Sequence, residues 1–254
     1  MNMKILSSNN KNFDKKLDGL LSKRKKKLQS KNVSVTKIIK DVKRNGDKAL
    51  LKYEKRFNKN NVITPSIKQI NKSIKSLDKK VKKAIDDAYD RIYKFHSLQK
   101  FKNISYKDKY NNRIEYKYIP LESVCLYVPG STASYPSTVL MNAIPAICAK
   151  VKRIVMINPG FKGKQNPAVL YAAKLCGISE IYSIGGPSAI AAVTYGTKTI
   201  KPVNKIVGPG NEFVAAAMRE VFGDVGVLSM FCGPSEVTIV CDKNSKPDWL
   251  ASDL

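Results

Sequence analysis

Apolar residues recur at helical spacing through the first part of the chain. Four segments carry this pattern, and their apolar positions span residues 35–42, 49–57, 67–77 and 81–95. Ser34 or Thr36 is placed to cap the first of these helices, and Gly46 is placed to close it. Asp78 is placed to cap the fourth. The pattern therefore predicts a helical region at the start of the fold.

Residues 104–119 follow a different pattern. They are rich in Tyr and Ile, and Ile114, Tyr116 and Tyr118 alternate with other residues along the segment. This near-alternation predicts an antiparallel pair of strands, or edge strands, that lead to Pro120.

The second part of the chain alternates short apolar runs with helical patterns. The predicted strands are 123–128, 153–157, 180–184, 205–207 and 237–241. The predicted helices between them are 139–149, 167–176, 188–195 and 212–221. This repetition predicts an α/β fold, in which the helical N-terminal region is followed by a Rossmann-like parallel sheet with helices on both faces. Ligands of such folds collect outside the carboxyl ends of the strands.

Charge divides the chain at the same place as the pattern. The 254 residues contain 46 Lys and Arg against 20 Asp and Glu, and residues 1–120 hold +23 of the net charge of +26. Most of the 14 glycines lie after residue 120. We therefore expect a basic helical arm at 1–33, a helical region with a short β segment at 34–120 and a Rossmann-like α/β domain at 121–233. Residues 234–254 would hold the first strand of a further domain.

The basic run Lys23–Lys27 and the helices after it allow electrostatic binding to nucleic acid. A solvated, lysine-rich helix surface explains the same residues, because the lysines are scattered over all the predicted helices and no aromatic residues interleave with the run. We favour the second interpretation, so a nucleic-acid partner is not expected.

Histidine and cysteine restrict the possible chemistry. His96 is the only histidine of the sequence, so a His-based triad or a multi-histidine metal site within this chain is excluded. We expect His96 to be a packed or capping residue. The five cysteines are scattered through apolar contexts and predict reduced, buried thiols in a cytosolic protein. We also expect neither a secretory leader nor a membrane span, because no apolar run is long enough.

Two turns after predicted strands are rich in glycine, proline or hydroxyls. The segment 127–137 would hold an anion on its amides and hydroxyls, or would form an ordinary loop with a Ser cap. The turn 185–190 places Pro187 near the first helical position and Gly185 where a positive φ is available. We favour simple turn geometry there over close approach to a ligand.

Two further turns hold candidate polar contacts. The turn 207–214 has the first two glycines of a dinucleotide fingerprint, but Phe213 stands at the third, so it is not an ordinary Rossmann signature. Asn211, at the start of the next helix, is a candidate ligand contact. Ser235 in the turn 233–236 is another, although no histidine lies near it in sequence to activate its hydroxyl as a nucleophile.

Taken together, the turns are more specific than any one of them. In order, they are Tyr127-Val-Pro-Gly, Ile184-Gly-Gly, Tyr195-Gly-Thr, Lys205-Ile-Val-Gly-Pro-Gly-Asn and Gly233-Pro-Ser-Glu. In this order and spacing the chain resembles the histidinol dehydrogenase family. The resemblance also includes Gly46-Asp-Lys-Ala-Leu-Leu-Lys-Tyr and extends from about Val35 onward.

The resemblance implies an NAD-dependent, zinc-containing homodimer of the cytoplasm, which oxidises L-histidinol through the aldehyde to L-histidine and uses two NAD per turnover. By match of motif, Tyr127, Ser188 and Asn211 correspond to NAD contacts, and Ser235 corresponds to a substrate contact. The family usually has Gln at the position of Ser188, so this NAD contact is shortened here. Residues 229–232 also differ from the acidic and proline residues that the family has before its Gly-Pro-Ser-Glu turn.

The resemblance also implies what this sequence does not carry. In the family, the zinc ligands and the Glu–His acid–base pair come after the position of Leu254. We therefore expect a chain truncated before the catalytic and metal-binding residues, with none of either in residues 1–254 and no activity on its own. Two alternatives stay open: a catalytically dead basic binding module that contacts RNA through residues 1–100, and one half of a split enzyme.

Overall fold

The computed structural model describes residues 6–99, 101–130, 134–160, 164–228 and 239–253, without the side chains of residues 21, 23–33 and 253. The helices are α1 (Phe13–Asn58), α2 (Ile67–Lys75), α3 (Lys79–Ser97), α4 (Pro136–Cys148), α5 (Pro167–Leu175), α6 (Gly186–Tyr195), α7 (Glu212–Glu220) and α8 (Pro247–Asp253). The strands are β1 (Ile104–Lys107), β2 (Arg113–Tyr116), β3 (Ser123–Tyr127), β4 (Arg153–Ile157), β5 (Glu180–Tyr182), β6 (Lys205–Val207) and β7 (Gly226–Val227). Within these ranges, no helix is long and apolar enough to cross a membrane.

Helix α1 contains the first two predicted apolar stripes. It is kinked at Gly46, whose φ of +52° and ψ of −132° are not helical, so the second stripe starts at a new angle. The prediction that Ser34 or Thr36 begins the first helix is wrong, because α1 begins at Phe13 and runs through both positions. The residues before them are mostly Lys, Leu, Arg and Gln, which favour helix, so nothing interrupts it there.

Helices α2 and α3 lie where the sequence predicts them. The carboxylate of Asp78 caps α3 by accepting hydrogen bonds from the N–H groups of Lys80 and Val81, at 2.7 and 3.3 Å. His96 lies in the last turn of α3, where its Nδ1 is 2.7 Å from the Oε1 of Gln99.

Strands β1 and β2 form the predicted antiparallel pair, with Ile104 opposite Tyr116 and Tyr106 opposite Ile114. Every residue of both strands is exposed. The pair therefore stands at the surface of the described chain and takes no part in the main sheet.

Strands β3 to β7 form one parallel sheet in the order β5-β4-β3-β6-β7. The chain moves outward from β3 through β4 to β5, and then returns to place β6 on the other side of β3. Connections that leave the carboxyl ends of β3 and β6 therefore run in opposite directions, and a crevice opens between them. The predicted α/β fold class is confirmed.

Each face of the sheet has its own core, because alternate residues of a strand point to opposite sides. Cys125 and Tyr127 pack on the side of α1, α6 and α7. Val124 and Leu126 pack on the other side, where α2, α3, α4 and α5 lie. Helices thus cover both faces, as the mostly apolar strand β3 predicts.

Two details at the end of the predicted sheet are wrong. The pair Gly226–Val227 forms β7, although the sequence analysis placed no strand there. Residues 239–241, the described part of the strand predicted at 237–241, form no strand. Cys125 and Cys176 are buried as predicted, whereas Cys148 is only half-buried and Cys241 is exposed. Cys232 lies outside the described residues.

Candidate functional site

The carboxyl ends of the central strands open onto a cavity of about 590 Å³. Its wall on the sheet side includes Tyr127 at the end of β3, the turn Gly185–Pro187 that follows β5, and Asn211 that follows β6. Helix α1 supplies the opposite wall. The volume is typical of sites for small ligands, and the position is the switch point at which such folds bind them.

Tyr127 connects two sides of this cavity. It is the last residue of β3, and its phenolic oxygen accepts a hydrogen bond from the backbone N–H of Gly186 at 3.2 Å. Burial raises the pKa of Tyr127 to about 12, and the carboxylate of Glu54 contributes to the increase. The hydroxyl therefore keeps its proton at neutral pH and can donate a hydrogen bond to a ligand.

The first turn of α6 forms part of the wall. Gly185 is its N-cap, Gly186 has a φ of +67°, and both line the cavity together with Pro187. The turn that we interpreted as simple geometry thus also faces the cavity. Its N–H groups at Gly185 and Gly186 are already hydrogen-bonded to Glu54 and Tyr127, so an anion would be attracted here by the positive end of the helix dipole. Ser188 lies behind this wall: it is buried, and its Oγ donates to the carbonyl oxygen of Gly185 at 3.1 Å. A contact from Ser188 to NAD stays a prediction.

The turn after β6 brings Asn211 to the cavity. Gly208 has a φ of +116°, and a Cβ at this position would lie 2.2 Å from the carbonyl oxygen of Tyr127, so only glycine can pass there. Asn211 caps α7, because its Oδ1 accepts hydrogen bonds from the N–H groups of Phe213 and Val214, both at 3.1 Å. Its Nδ2 is the group that Asn211 can offer to a ligand.

The α1 wall was not predicted as part of any site. It brings Lys37, Arg56 and the ring of Phe57 to the cavity. Two cations near the N-termini of α6 and α7 make this a suitable place for phosphate groups. Sequence periodicity alone could not find them, because the contact joins residues separated by about half of the chain.

Glu54, just behind the α1 wall, is the only Asp, Glu, Lys or Arg that is buried among the described residues. It is 1% exposed, its Oε1 accepts from the N–H of Gly185 at 2.9 Å, and its Oε2 accepts from the Nδ2 of Asn58 at 2.7 Å. Burial raises the pKa of Glu54 to about 7, although both hydrogen bonds oppose the increase. A signal existed in the sequence: Glu54 is four residues after Leu50 and therefore lies on the apolar face of the helix.

Comparisons with known proteins agree with this geometry. A family model described as histidinol dehydrogenase matches residues 21–254. The chain belongs to the histidinol dehydrogenase family. It is 77% identical to the histidinol dehydrogenase of Pelagibacter ubique (strain HTCC1062) over 252 residues, which cover 99% of this chain and 59% of that protein. It is 46% identical to that of Agrobacterium fabrum (strain C58 / ATCC 33970), with 95% of this chain and 57% of that protein covered.

A solved structure matches the fold as well. The crystal structure of histidinol dehydrogenase from Elizabethkingia anophelis superposes with a TM-score of 0.78 at 38% sequence identity, over 86% of this chain and 51% of that one. The chain thus spans somewhat less than three-fifths of the length of its relatives in this family, with 59% and 57% for the two named above.

Of the two groups that the family resemblance implies, zinc and NAD, the described residues fit only NAD. Among them, no group of three or more His, Cys, Asp and Glu side chains is arranged to hold a metal ion, so they do not fit zinc, and we assign zinc to none of them. They do fit NAD, since the cavity combines the positive ends of two helix dipoles, two cations and the hydroxyl of Tyr127. Ser235, the predicted substrate contact, lies outside the described residues.

Proposed function

We propose that this chain is the NAD-binding part of a histidinol dehydrogenase. The observation that carries the proposal is the convergence of Tyr127, the first turn of α6 and Asn211 on one cavity at the switch point of the sheet. Two of the three NAD contacts expected from the resemblance, Tyr127 and Asn211, are among the lining residues. The sequence similarity to relatives named histidinol dehydrogenase supports the same function.

The residues of the cavity would each perform a different part of the binding. Lys37 and Arg56 would hold the two phosphates, and the positive ends of the α6 and α7 dipoles opposite them would add to the attraction. Tyr127 and Asn211 would donate hydrogen bonds that orient the dinucleotide. When bound, NAD supplies the acceptor for the hydride that leaves the alcohol carbon.

The remaining parts of the function rest on the family resemblance. In the whole enzyme, L-histidinol would be oxidised to L-histidine by two NAD, with zinc bound by residues other than those described here. A homodimer, a cytoplasmic location and a substrate contact from Ser235 belong to the same proposal. Histidine biosynthesis would be the pathway served.

Binding of NAD to the purified chain tests this proposal, and Asn211→Asp is the informative variant. Aspartate caps a helix as well as asparagine does, so the free energy of unfolding should change by less than about 0.5 kcal/mol. The variant replaces an N–H donor by a carboxylate that faces the phosphates, so the Kd for NAD should rise about tenfold or more. Isothermal titration calorimetry measures the Kd, and urea unfolding measures the stability.

Asn166→Asp is the matched control. Asn166 caps α5 through a hydrogen bond from the N–H of Ala168 at 2.9 Å and is not among the residues that line the cavity. The same chemical change at this cap should leave the Kd for NAD unchanged. An equal loss of affinity in both variants, or no binding of NAD by the wild-type chain, would contradict the proposed site.

A further inference from the structure

The buried carboxylate of Glu54 supports the wall of the proposed NAD cavity. Its two oxygens accept hydrogen bonds from Gly185 at 2.9 Å and from Asn58 at 2.7 Å, and both of these partners line the cavity. Glu54 itself is 1% exposed and is not among the lining residues. Glu54 therefore lies directly behind the cavity wall, where bulk water cannot screen the charge of its carboxylate.

The surroundings of Glu54 act on the ionisation of its carboxyl group in opposite directions. The N-terminus of α6, which begins at Gly186, carries a partial positive charge that favours the ionised carboxylate. Lys37 and Arg56 on α1 add positive charge along the same cavity. From β3, Tyr127 presents a protonated hydroxyl, and from α7 the cavity receives the uncharged Asn211 and Phe213. Burial opposes ionisation and is the largest effect, so the pKa of Glu54 is about 7.

We propose that Glu54 is a proton-linked positioning residue, which holds the Gly185 turn in place and takes up a proton from solvent when a dinucleotide binds beside it. This inference rests on the proposed function. The phosphates of the ligand bring negative charge next to a desolvated carboxylate. Because a nearby like charge disfavours the ionised form of a carboxyl group, binding raises the free energy of ionised Glu54. Neutralising Glu54 is the available response.

Glu54 can bind a proton while the hydrogen bonds that hold the turn at Gly185 are kept. A neutral carboxyl group still has a carbonyl oxygen to accept from the N–H of Gly185, and its new O–H can donate to the side-chain oxygen of Asn58 once that amide rotates. Glu54 thus changes charge while it keeps both of its partners. Tyr127 is also hydrogen-bonded to this turn, through the N–H of Gly186, but its pKa is raised by burial to about 12, so it keeps its proton near neutral pH.

The direction of the pH dependence follows from linkage. Since binding would raise the pKa of Glu54 above its value of about 7 in the free chain, the affinity should be highest below pH 7 and should fall as the pH rises through that value. Above it, the Kd should increase by up to about tenfold per pH unit until the pKa of the bound state is reached.

Calorimetric titration of the whole chain with NAD and with ADP-ribose, in buffers of different ionisation enthalpy at pH 7.5, measures the proton uptake directly. We expect roughly half to three-quarters of a proton per dinucleotide bound, because about a quarter of the Glu54 carboxyl groups already carry a proton at this pH. Adenosine, which has no phosphate, should bind without uptake. Glu54→Gln keeps an oxygen for Gly185 but cannot ionise, so its uptake should be zero and its Kd independent of pH between 6 and 8, as an approximate range.

Asp86→Asn is the matched control, because it also removes one carboxylate but lies on α3, on the other side of the sheet, where it accepts from the hydroxyl of Tyr171. It should retain the uptake of the wild type. Binding of NAD with no proton uptake would overturn the inference and leave the proposed function intact, whereas no binding of NAD at all would overturn both. The wild-type titrations with NAD and adenosine decide the matter even if Glu54→Gln fails to fold.

Discussion

Replacing Gly208 by alanine is expected to remove about 4 kcal/mol from the free energy of unfolding, a large share of the stability of an ordinary domain. The backbone at this position has a φ of +116°, which L-residues rarely adopt, and the added Cβ would lie 2.2 Å from the carbonyl oxygen of Tyr127. That oxygen belongs to the backbone of the central strand and cannot move aside cheaply. Urea unfolding followed by circular dichroism measures the loss.

Gly223→Ala separates the cost of the positive φ from the cost of the steric clash with the backbone. Gly223 has a similar φ of +104°, but a Cβ built there meets nothing within 4 Å. This variant should therefore lose only the cost of the backbone conformation, about 1 to 2 kcal/mol. If the two variants lost the same amount, the close approach of the β6 turn to β3 would not be the reason that glycine is needed at Gly208.

The contrast between these glycines shows why parts of the fold could be predicted and others could not. Strand β3 is apolar at four of its five positions and is soon followed by Pro-Gly, so its burial follows from the residues themselves. Strand β7 has only two residues, one of them Gly226, and a segment so short carries no periodicity that could be recognised. It is a strand because β6 lies beside it, with Ile206 opposite Val227.

The candidate site, like the fold, has residues that could be predicted from the sequence and residues that could not. Tyr127 lies at the end of a predicted strand and Asn211 in the turn after another, and the carboxyl ends of parallel strands meet at one edge of a sheet. The wall formed by Lys37 and Arg56 could not be predicted, because the packing of α1 against α6 and α7 is a long-range arrangement with no local pattern. Only Glu54, a charge on an apolar helix face, carried a local signal.

Asn60 is the second residue at which a large effect is expected, because it fixes the end of α1 to the end of β5. Its amide is 1% exposed, and its Nδ2 donates to the carbonyl oxygens of Ser183 at 2.6 Å and Val62 at 2.8 Å. Asn60→Ala would leave the buried carbonyl oxygen of Ser183 without this donor and would also remove the bond to Val62. We expect a loss of about 3 kcal/mol in the free energy of unfolding, measured by urea denaturation.

Asn60→Asp distinguishes the lost hydrogen bonds from the lost volume. Aspartate has the size of asparagine, but near pH 7 it places an ionised oxygen against the carbonyl oxygen of Ser183, so it should destabilise at least as much as alanine. Toward pH 4 the carboxyl group can bind a proton and donate again, so part of the stability should return relative to the wild type. Asn45→Ala is the control, because the exposed amide of Asn45 bonds only to Asp41 among the described contacts, and its removal should change stability by less than about 0.5 kcal/mol. Full stability in Asn60→Asp at neutral pH would show that the size of Asn60, rather than its donor, joins α1 to the sheet.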